Sequence, residues 1–182
     1  TYVQTSPGDH KGYEYSRTKN PTRYAYEQCV ANLESGKHGF AFASGCAATT
    51  TLLHLLKGGD HVIASDDMYG GTFRLFDKVL RHNGIDFSFV DMTHFKNIKA
   101  AVKPNTKMIW IESPTNPTMK LVDIKKAAAL GKEKNALTVV DNTFMSPYFQ
   151  RPLELGADIV MHSTTKFING HSDVVGGVAV CS

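Results

Sequence analysis

Lys166 is the residue of this sequence whose position best suits covalent chemistry. It follows the apolar run at 157–161 and the polar segment 162–165, just past the end of a predicted buried strand. Ser163 and Thr165 precede it at alternating positions, and their hydroxyls could hold an anion beside its ammonium group. This pattern is typical of a Schiff-base lysine that carries a phosphorylated cofactor. The alternative is an ordinary loop lysine. When Lys166 is considered without the rest of the sequence, this alternative is favoured, because lysines are mostly exposed.

Asp141 and Tyr69 could contribute to the same kind of site. Asp141 ends the apolar run 137–140, and a carboxylate there is costly to bury without a cationic partner. A pyridinium N–H would be such a partner, whereas a turn or N-cap aspartate is the alternative. Tyr69 stands beside two glycines just before a helix, where its ring could stack on a planar cofactor and its hydroxyl could transfer a proton. A surface-loop tyrosine is the alternative.

Two further segments could bind polar groups of a ligand. Gly45 and Cys46 lead from a strand into a helix, where small residues and free N–H groups favour an anion, although small residues also serve tight packing. Asn116 lies in a proline-rich turn at 112–118, in which one or both X-Pro bonds are expected to be cis. Its amide could bond a ring oxygen or a substrate group. No dinucleotide or P-loop motif supports a nucleotide-binding domain.

Short apolar strands alternate with amphipathic helices and must position these residues. Strands are predicted at 39–43, 61–65, 87–91, 107–112, 137–141, 157–163 and 174–180. Helices are predicted at 22–34, with Thr22 as N-cap, and at 46–57, 72–82, 95–102 and 123–134. This alternation favours an α/β fold with a mostly parallel, doubly wound sheet. Function in such sheets collects at the carboxyl ends of the strands, where the candidate residues lie.

Composition narrows the class of protein further. The chain has 182 residues, 42% of them hydrophobic and 20% charged, which predicts one globular domain. A net charge of +3 argues against nucleic-acid and membrane partners. Cys29, Cys46 and Cys181 are predicted to be buried free thiols, which fits a reducing compartment. Without a signal or membrane-spanning segment, the expected location is the cytoplasm.

Six motifs resemble the Cys/Met-metabolism family of pyridoxal-phosphate enzymes. They are residues 15–22, 44–45, 67–72, 112–117, 140–143 and 163–166. Segments 144–152 and 169–175 look most like the eukaryotic members that cleave cystathionine at its gamma carbon. The resemblance implies the large cofactor domain of fold-type I pyridoxal-phosphate enzymes over residues 21–182. Residues 1–20 would form an arm that contacts a neighbouring subunit, whereas a loosely ordered terminus is the alternative.

The resemblance also implies roles for the candidate residues. Lys166 would bind pyridoxal 5'-phosphate covalently and later move protons. Asp141 would pair with the pyridine nitrogen, and Tyr69 would stack on the ring. The remaining implied contacts are Gly45, Cys46, Ser163 and Thr165 with the phosphate, Asn116 with the phenolic oxygen or substrate, and Tyr15 and Arg17 with the phosphate of a neighbouring subunit.

The implied activity is gamma-elimination of L-cystathionine to L-cysteine, 2-oxobutanoate and ammonia, a transsulfuration step. Cystathionine gamma-synthase and beta-lyase activities share nearly every motif and are the alternatives. The implied assembly is a homo-oligomer, a dimer of dimers. Because the family's C-terminal domain, with its substrate-binding arginine, is missing from the sequence, the chain is expected to be a fragment. A non-catalytic cofactor-binding or oligomerisation partner is therefore a further alternative.

Overall fold

A central sheet of seven strands organises the protein, whose computed structural model describes all residues from Thr1 to Ser182. A two-stranded hairpin comes first. The hairpin is β1 (Gln4–Ser6) and β2 (Asp9–His10), and the central strands are β3 (His38–Phe42), β4 (His61–Ser65), β5 (Asp86–Val90), β6 (Thr106–Glu112), β7 (Leu137–Asp141), β8 (Ile159–Ser163) and β9 (Gly177–Cys181). The central order is β3-β9-β8-β7-β6-β4-β5.

Six helices connect the strands. They are α1 (Pro21–Leu33), α2 (Gly45–Leu53), α3 (Gly70–Arg74), α4 (Phe95–Ala100), α5 (Ile124–Lys134) and α6 (Ser146–Phe149). Helix α3 continues directly as a π-helix over Leu75–Leu80. None of the helices combines the length and apolar composition that a membrane crossing needs.

The predicted α/β class is confirmed, and the sheet is mostly parallel. Strands β4 to β8 pair in parallel, whereas β9 is antiparallel to both of its neighbours, β3 and β8. Both faces of the sheet are covered. Leu53, Phe76 and Trp110 pack on one face, and Ile98 and Ile109 pack on the other. Burial on both sides explains why β6 is a nearly continuous apolar run rather than an alternating one.

Several predicted boundaries were wrong for identifiable reasons. Asn20, not Thr22, caps α1, because its Oδ1 accepts the N–H groups of Thr22 (2.9 Å) and Arg23 (3.1 Å). Pro21 then takes the first helical position, which its fixed φ suits. Helix α2 ends at Leu53 rather than at 57. The last predicted strand begins at Gly177 rather than at 174.

The prediction of buried cysteines was also wrong. Cys29 and Cys46 are exposed and Cys181 is half-buried, although all three are free. The N-terminal segment, for which no secondary structure was predicted, contains the β1–β2 hairpin. Its end is tied to α1, because the guanidinium group of Arg23 donates hydrogen bonds to the carbonyl oxygens of Arg17 (3.3 Å) and Thr18 (3.0 Å).

Helix α1 lies so close to β3 that only glycine fits at position 39. A Cβ on Gly39 would lie 2.2 Å from the carbonyl oxygen of Glu27. We therefore expect Gly39→Ala to lower the free energy of unfolding by about 1–3 kcal/mol, because backbone must move to admit the methyl group. Gly58→Ala is the matched control, since its Cβ would meet only Asn83 O at 3.6 Å. Urea unfolding of both variants tests this, and equal stabilities would contradict it.

Candidate active site

A cavity of about 210 Å³ opens at the carboxyl ends of the central strands. Strands β6, β7 and β8 end at this cavity, and α2 begins there. It brings together eight of the ten predicted site residues. They are Gly45, Cys46, Tyr69, Asn116, Asp141, Ser163, Thr165 and Lys166. Residues far apart in sequence therefore form one site, as the strand-end rule predicts.

Lys166 occupies the turn that follows β8. Its backbone N–H donates to the carbonyl oxygen of Ser163 at 3.2 Å, which closes the turn. The residue is exposed on the side of the cavity that opens to solvent. The candidate nucleophile is thus accessible to a ligand rather than enclosed in the core.

Asp141 is a buried carboxylate at the end of β7. It is 8% exposed, and burial raises its pKa above the ordinary value. Thr143 opposes this effect, since its hydroxyl (2.5 Å) and N–H (3.1 Å) both donate to Asp141 Oδ1. The same hydroxyl accepts the N–H of Ser163 at 2.9 Å, so Thr143 ties β7 to β8. A cationic N–H in the cavity would stabilise the ionised form of Asp141 further.

The loop that carries Tyr69 is fastened to the proline-rich turn after β6. The carboxylate of Asp67 accepts the N–H of Thr118 at 3.1 Å and the hydroxyls of Thr115 and Thr118. Both Ser113–Pro114 and Asn116–Pro117 are cis, which confirms the prediction for this turn. The loop and the turn therefore hold Tyr69 and Asn116 as one unit at the cavity.

Helix α2 and the segment after β8 form a cradle of donors. A Cβ on Gly45 would lie 2.7 Å from Ser163 Cβ, so glycine permits the helix to begin against β8. Ser44 caps the helix by accepting the N–H of Ala47 at 3.0 Å. The first-turn N–H groups of Gly45 and Cys46 have no acceptor within the helix, and they suit an anion. Thr165 lines the cavity while its Oγ1 accepts the N–H of Gly176 at 3.1 Å.

Tyr15 and Arg17 do not line the cavity. The guanidinium group of Arg17 stacks over the ring of Tyr15, 5.0 Å from its centroid. Tyr15 is 42% exposed, and Arg17 lines a separate groove with Arg23 and Phe40. Their predicted contact with a neighbouring subunit stays a prediction.

Glu112 is a site residue to which the sequence analysis assigned no role. It ends β6, is 5% exposed and lines the cavity, and its Oε2 accepts the backbone N–H of Tyr69 at 2.9 Å. Burial and the neighbouring charge of Asp141 raise its pKa to about 8. The sequence contained a signal for Glu112, because this residue ends an apolar strand just as Asp141 does.

A buried polar network on the other face of the sheet was also missed. His162 Nε2 lies 2.5 Å from Glu34 Oε1, and both residues are fully buried. Asn142 Nδ2 donates to the same oxygen at 2.9 Å, and Gln150 Nε2 donates to Asn142 Oδ1 at 2.9 Å. The network links the end of α1 to β8 and to the segment that follows β7. Nothing in the periodicity of the sequence pairs Glu34 with His162, which are 128 residues apart.

The donor set of the cavity fits pyridoxal phosphate. The cradle at Gly45 has the N–H groups that a phosphate needs, and a Cβ there would fill it. The buried carboxylate of Asp141 suits a protonated ring nitrogen, and Lys166 supplies an amine at the same cavity. The fold and this site together define the large domain of a pyridoxal-phosphate enzyme.

The chain belongs to the Cys/Met metabolism family of PLP-dependent enzymes, whose family model matches residues 1–182. The resemblance in its motifs is thereby confirmed, and the family's cofactor is pyridoxal 5'-phosphate. A crystal structure of metB from Corynebacterium glutamicum superposes with a TM-score of 0.97 at 53% identity. That match covers 100% of this chain and 48% of the solved one, and it confirms the fold.

Relatives with three different activities resemble the chain. A cystathionine beta-lyase of Coxiella burnetii (strain RSA 493 / Nine Mile phase I) is 62% identical over 99% of this chain and 47% of its own length. A probable cystathionine gamma-synthase of Herpetosiphon aurantiacus is 57% identical, and the match covers 100% of this chain and 57% of the relative. A cystathionine gamma-lyase of Homo sapiens is 56% identical, and the match covers 98% of this chain and 44% of the relative. The chain therefore spans about half the length of these relatives.

Replacing Thr143 tests the link between Asp141 and Ser163. Thr143→Val keeps the shape but removes the hydroxyl, which leaves the carboxylate and the Ser163 N–H without that partner. We expect a loss of about 1–3 kcal/mol in the free energy of unfolding. Thr143→Ser, which keeps the hydroxyl, should lose less. Urea unfolding at neutral pH measures both, and an equal loss in the two variants would refute the role of the hydroxyl.

Proposed function

We propose that this chain is the cofactor domain of a carbon–sulfur lyase that eliminates at the gamma carbon of L-cystathionine. The products would be L-cysteine, 2-oxobutanoate and ammonia. The observation that carries the proposal is the convergence of Lys166, Asp141, Tyr69 and the Gly45 cradle on one cavity. Likeness to the human cystathionine gamma-lyase supports this choice of substrate and bond.

The residues of the cavity divide the work of binding. The N–H groups of Gly45 and Cys46, with the hydroxyls of Ser163 and Thr165, would hold the phosphate. Asp141 would keep the ring nitrogen protonated, because an ion pair stabilises both partners in a buried site. Pyridoxal phosphate, when bound, supplies the electron sink for a substrate carbanion. Tyr69 would cover one face of the ring, and Asn116 would bond its phenolic oxygen or the substrate.

Lys166 would then act as the proton carrier. The amine of Lys166, when it is free, would take the proton from the substrate Cα. Loss of a second proton, from Cβ, would allow the Cγ–S bond to break, and the sulfur would take up a proton and leave as the thiol of cysteine. Water would then release the remaining four-carbon fragment as 2-oxobutanoate and ammonia. The exposed position of Lys166 in a turn, rather than inside the core, suits a side chain that must move between these tasks.

Two other activities in the same class are supported by relatives. The 62% identity to a cystathionine beta-lyase and the 57% identity to a probable gamma-synthase favour cleavage at Cβ and sulfur transfer, respectively. The site residues described above serve all three reactions, because each begins with removal of the Cα proton. The products distinguish the reactions.

The assembly is also a proposal. Residues 1–20 would serve as an arm that brings Tyr15 and Arg17 to the phosphate of a neighbouring subunit, within a dimer of dimers. Their exposure and their distance from the chain's own cavity support this role. Three free cysteines favour the reducing cytoplasm as the location. An oligomerisation partner without turnover is the remaining alternative.

The decisive experiment uses the purified chain loaded with pyridoxal phosphate. We expect the visible absorbance of lysine-bound cofactor, and release of cysteine and 2-oxobutanoate from cystathionine. Lys166→Ala should abolish that absorbance and reduce turnover on the order of a thousandfold or more. Lys107→Ala, at an exposed lysine of β6 outside the cavity, is the matched control.

Each alternative has its own outcome in the same assay. Homocysteine and pyruvate as products would replace the gamma-lyase proposal with a beta-lyase. Formation of cystathionine from an activated homoserine ester and cysteine would indicate a synthase. Cofactor absorbance without turnover of any of these substrates would favour the non-catalytic partner.

A further inference from the structure

Glu112 and Asp141 are neighbouring carboxyl groups at the ends of two paired strands. In the parallel register of β6 and β7, Glu112 is the direct partner of Asp141. Adjacent strands lie about 4.8 Å apart, and paired residues in register direct their side chains to the same face of the sheet. Both residues line the cavity, and both are nearly inaccessible to solvent. Two ionised carboxylates at such a spacing repel each other, so one proton is favourably retained by the pair.

The hydrogen bonds of the two carboxyl groups indicate which one keeps the proton. Asp141 Oδ1 receives the hydroxyl (2.5 Å) and the N–H (3.1 Å) of Thr143, and both donors favour a negative charge. Burial raises the pKa of Asp141, and the Thr143 donors, with a smaller contribution from His162 on the opposite face of β8, oppose this rise. Glu112 receives backbone N–H groups of Tyr69 (2.9 Å) and Asn116, and a neutral carboxyl group accepts such donors through its carbonyl oxygen as well. Charge therefore belongs on Asp141, and the proton belongs on Glu112.

The bond to Tyr69 gives Glu112 a second task. Tyr69 is the residue before α3, and no side-chain hydrogen bond caps that helix. Tyr69 is 46% exposed and its ring packs on one side against Gly71, so the position of its backbone also determines where the ring lies. The Glu112 carboxyl group is the contact that reaches this backbone N–H from the sheet.

We propose that Glu112 is a positioning residue of the cofactor site, which fixes the backbone of Tyr69 and carries the proton that leaves Asp141 ionised. The proposal rests on the proposed function, because it assigns Asp141 and Tyr69 to the two contacts with the cofactor ring. Glu112 itself would act through these two residues.

The sign of the pH dependence follows from the titration of Glu112 in the two states. Its folded pKa of about 8 lies above the ordinary value of 4.5, so the folded protein takes up a proton that the unfolded chain releases. The resulting stability is fully present below about pH 4.5 and is lost as the pH rises through about 8. The titratable groups that face this pair are Asp67 after β4, Tyr69 before α3, Cys46 on α2 and Lys166 after β8, whereas His162 lies on the opposite face of β8.

The first test uses the cofactor-free protein. We compare how the folding equilibrium constant of the wild type and of Glu112→Gln changes between pH 5 and 8. With rising pH, the wild-type constant should fall by an additional factor of about ten per pH unit relative to that of the variant, because one proton is released on unfolding. Urea unfolding across this range measures the difference. Equal slopes would overturn the proton-carrying role.

Infrared spectroscopy of the wild type gives an independent reading if Glu112→Gln does not fold. A protonated carboxyl band should be present at pH 6 and disappear with a midpoint near 8. Absence of the band at pH 6 would overturn the proposal.

The second test separates the two tasks by cofactor affinity. Glu112→Ala removes the acceptor for the Tyr69 N–H, and it should weaken binding of pyridoxal phosphate by about tenfold or more. Glu112→Gln keeps an acceptor oxygen and should recover most of that loss. Equal loss in the two variants would overturn the Tyr69-positioning role. If the wild type itself binds no cofactor, the proposed function fails, whereas the cofactor-free experiments still decide whether Glu112 holds the proton.

Discussion

The in-register parallel pairing of β6, β7 and β8 is the constraint on which the site depends. Glu112 is paired with Asp141, and Asp141 with Met161, two residues before Ser163. A slip of one residue in either ladder would turn the polar residue at the strand end to the opposite face of the sheet. The apolar runs that precede these residues keep the strands buried on both faces, and the polar residues at their ends mark the register.

The buried polar groups strengthen this arrangement from two sides. On the cavity face, Thr143 joins Asp141 to the backbone of Ser163. On the other face, Glu34 receives His162 and Asn142, which brings the end of α1 against the same strands. Buried polar groups are costly unless they are paired, so each network favours one arrangement of the strand ends over alternatives.

Much of this fold and site could be predicted from the sequence, and the failures have a common cause. The extents of His61–Ser65 and Leu137–Asp141 were predicted to the residue, because apolar strands bounded by polar residues are a local signal. Asp141 and Lys166 were predicted as site residues because the first ends such a strand and the second lies in the turn after one. Glu34 with His162, and the bond from Glu112 to the Tyr69 backbone, depend on contacts between distant segments, which no local pattern encodes. The N-cap of α1 is encoded locally, but Asn20 and Thr22 are both residue types that cap helices, and the wrong one was chosen.

The antiparallel strand β9 has a consequence for how the molecule assembles during synthesis. It lies between β3 and β8, so β3, which is made early, has no sheet neighbour until residues 177–181 exist. Helix α1 packs on β3, so its final packing also depends on this late pairing. Contacts of such long sequence separation form late in folding, because their loop-closure entropy must be met first. During synthesis, residues 38–42 therefore gain their sheet partner only after residues 177–181 have been made.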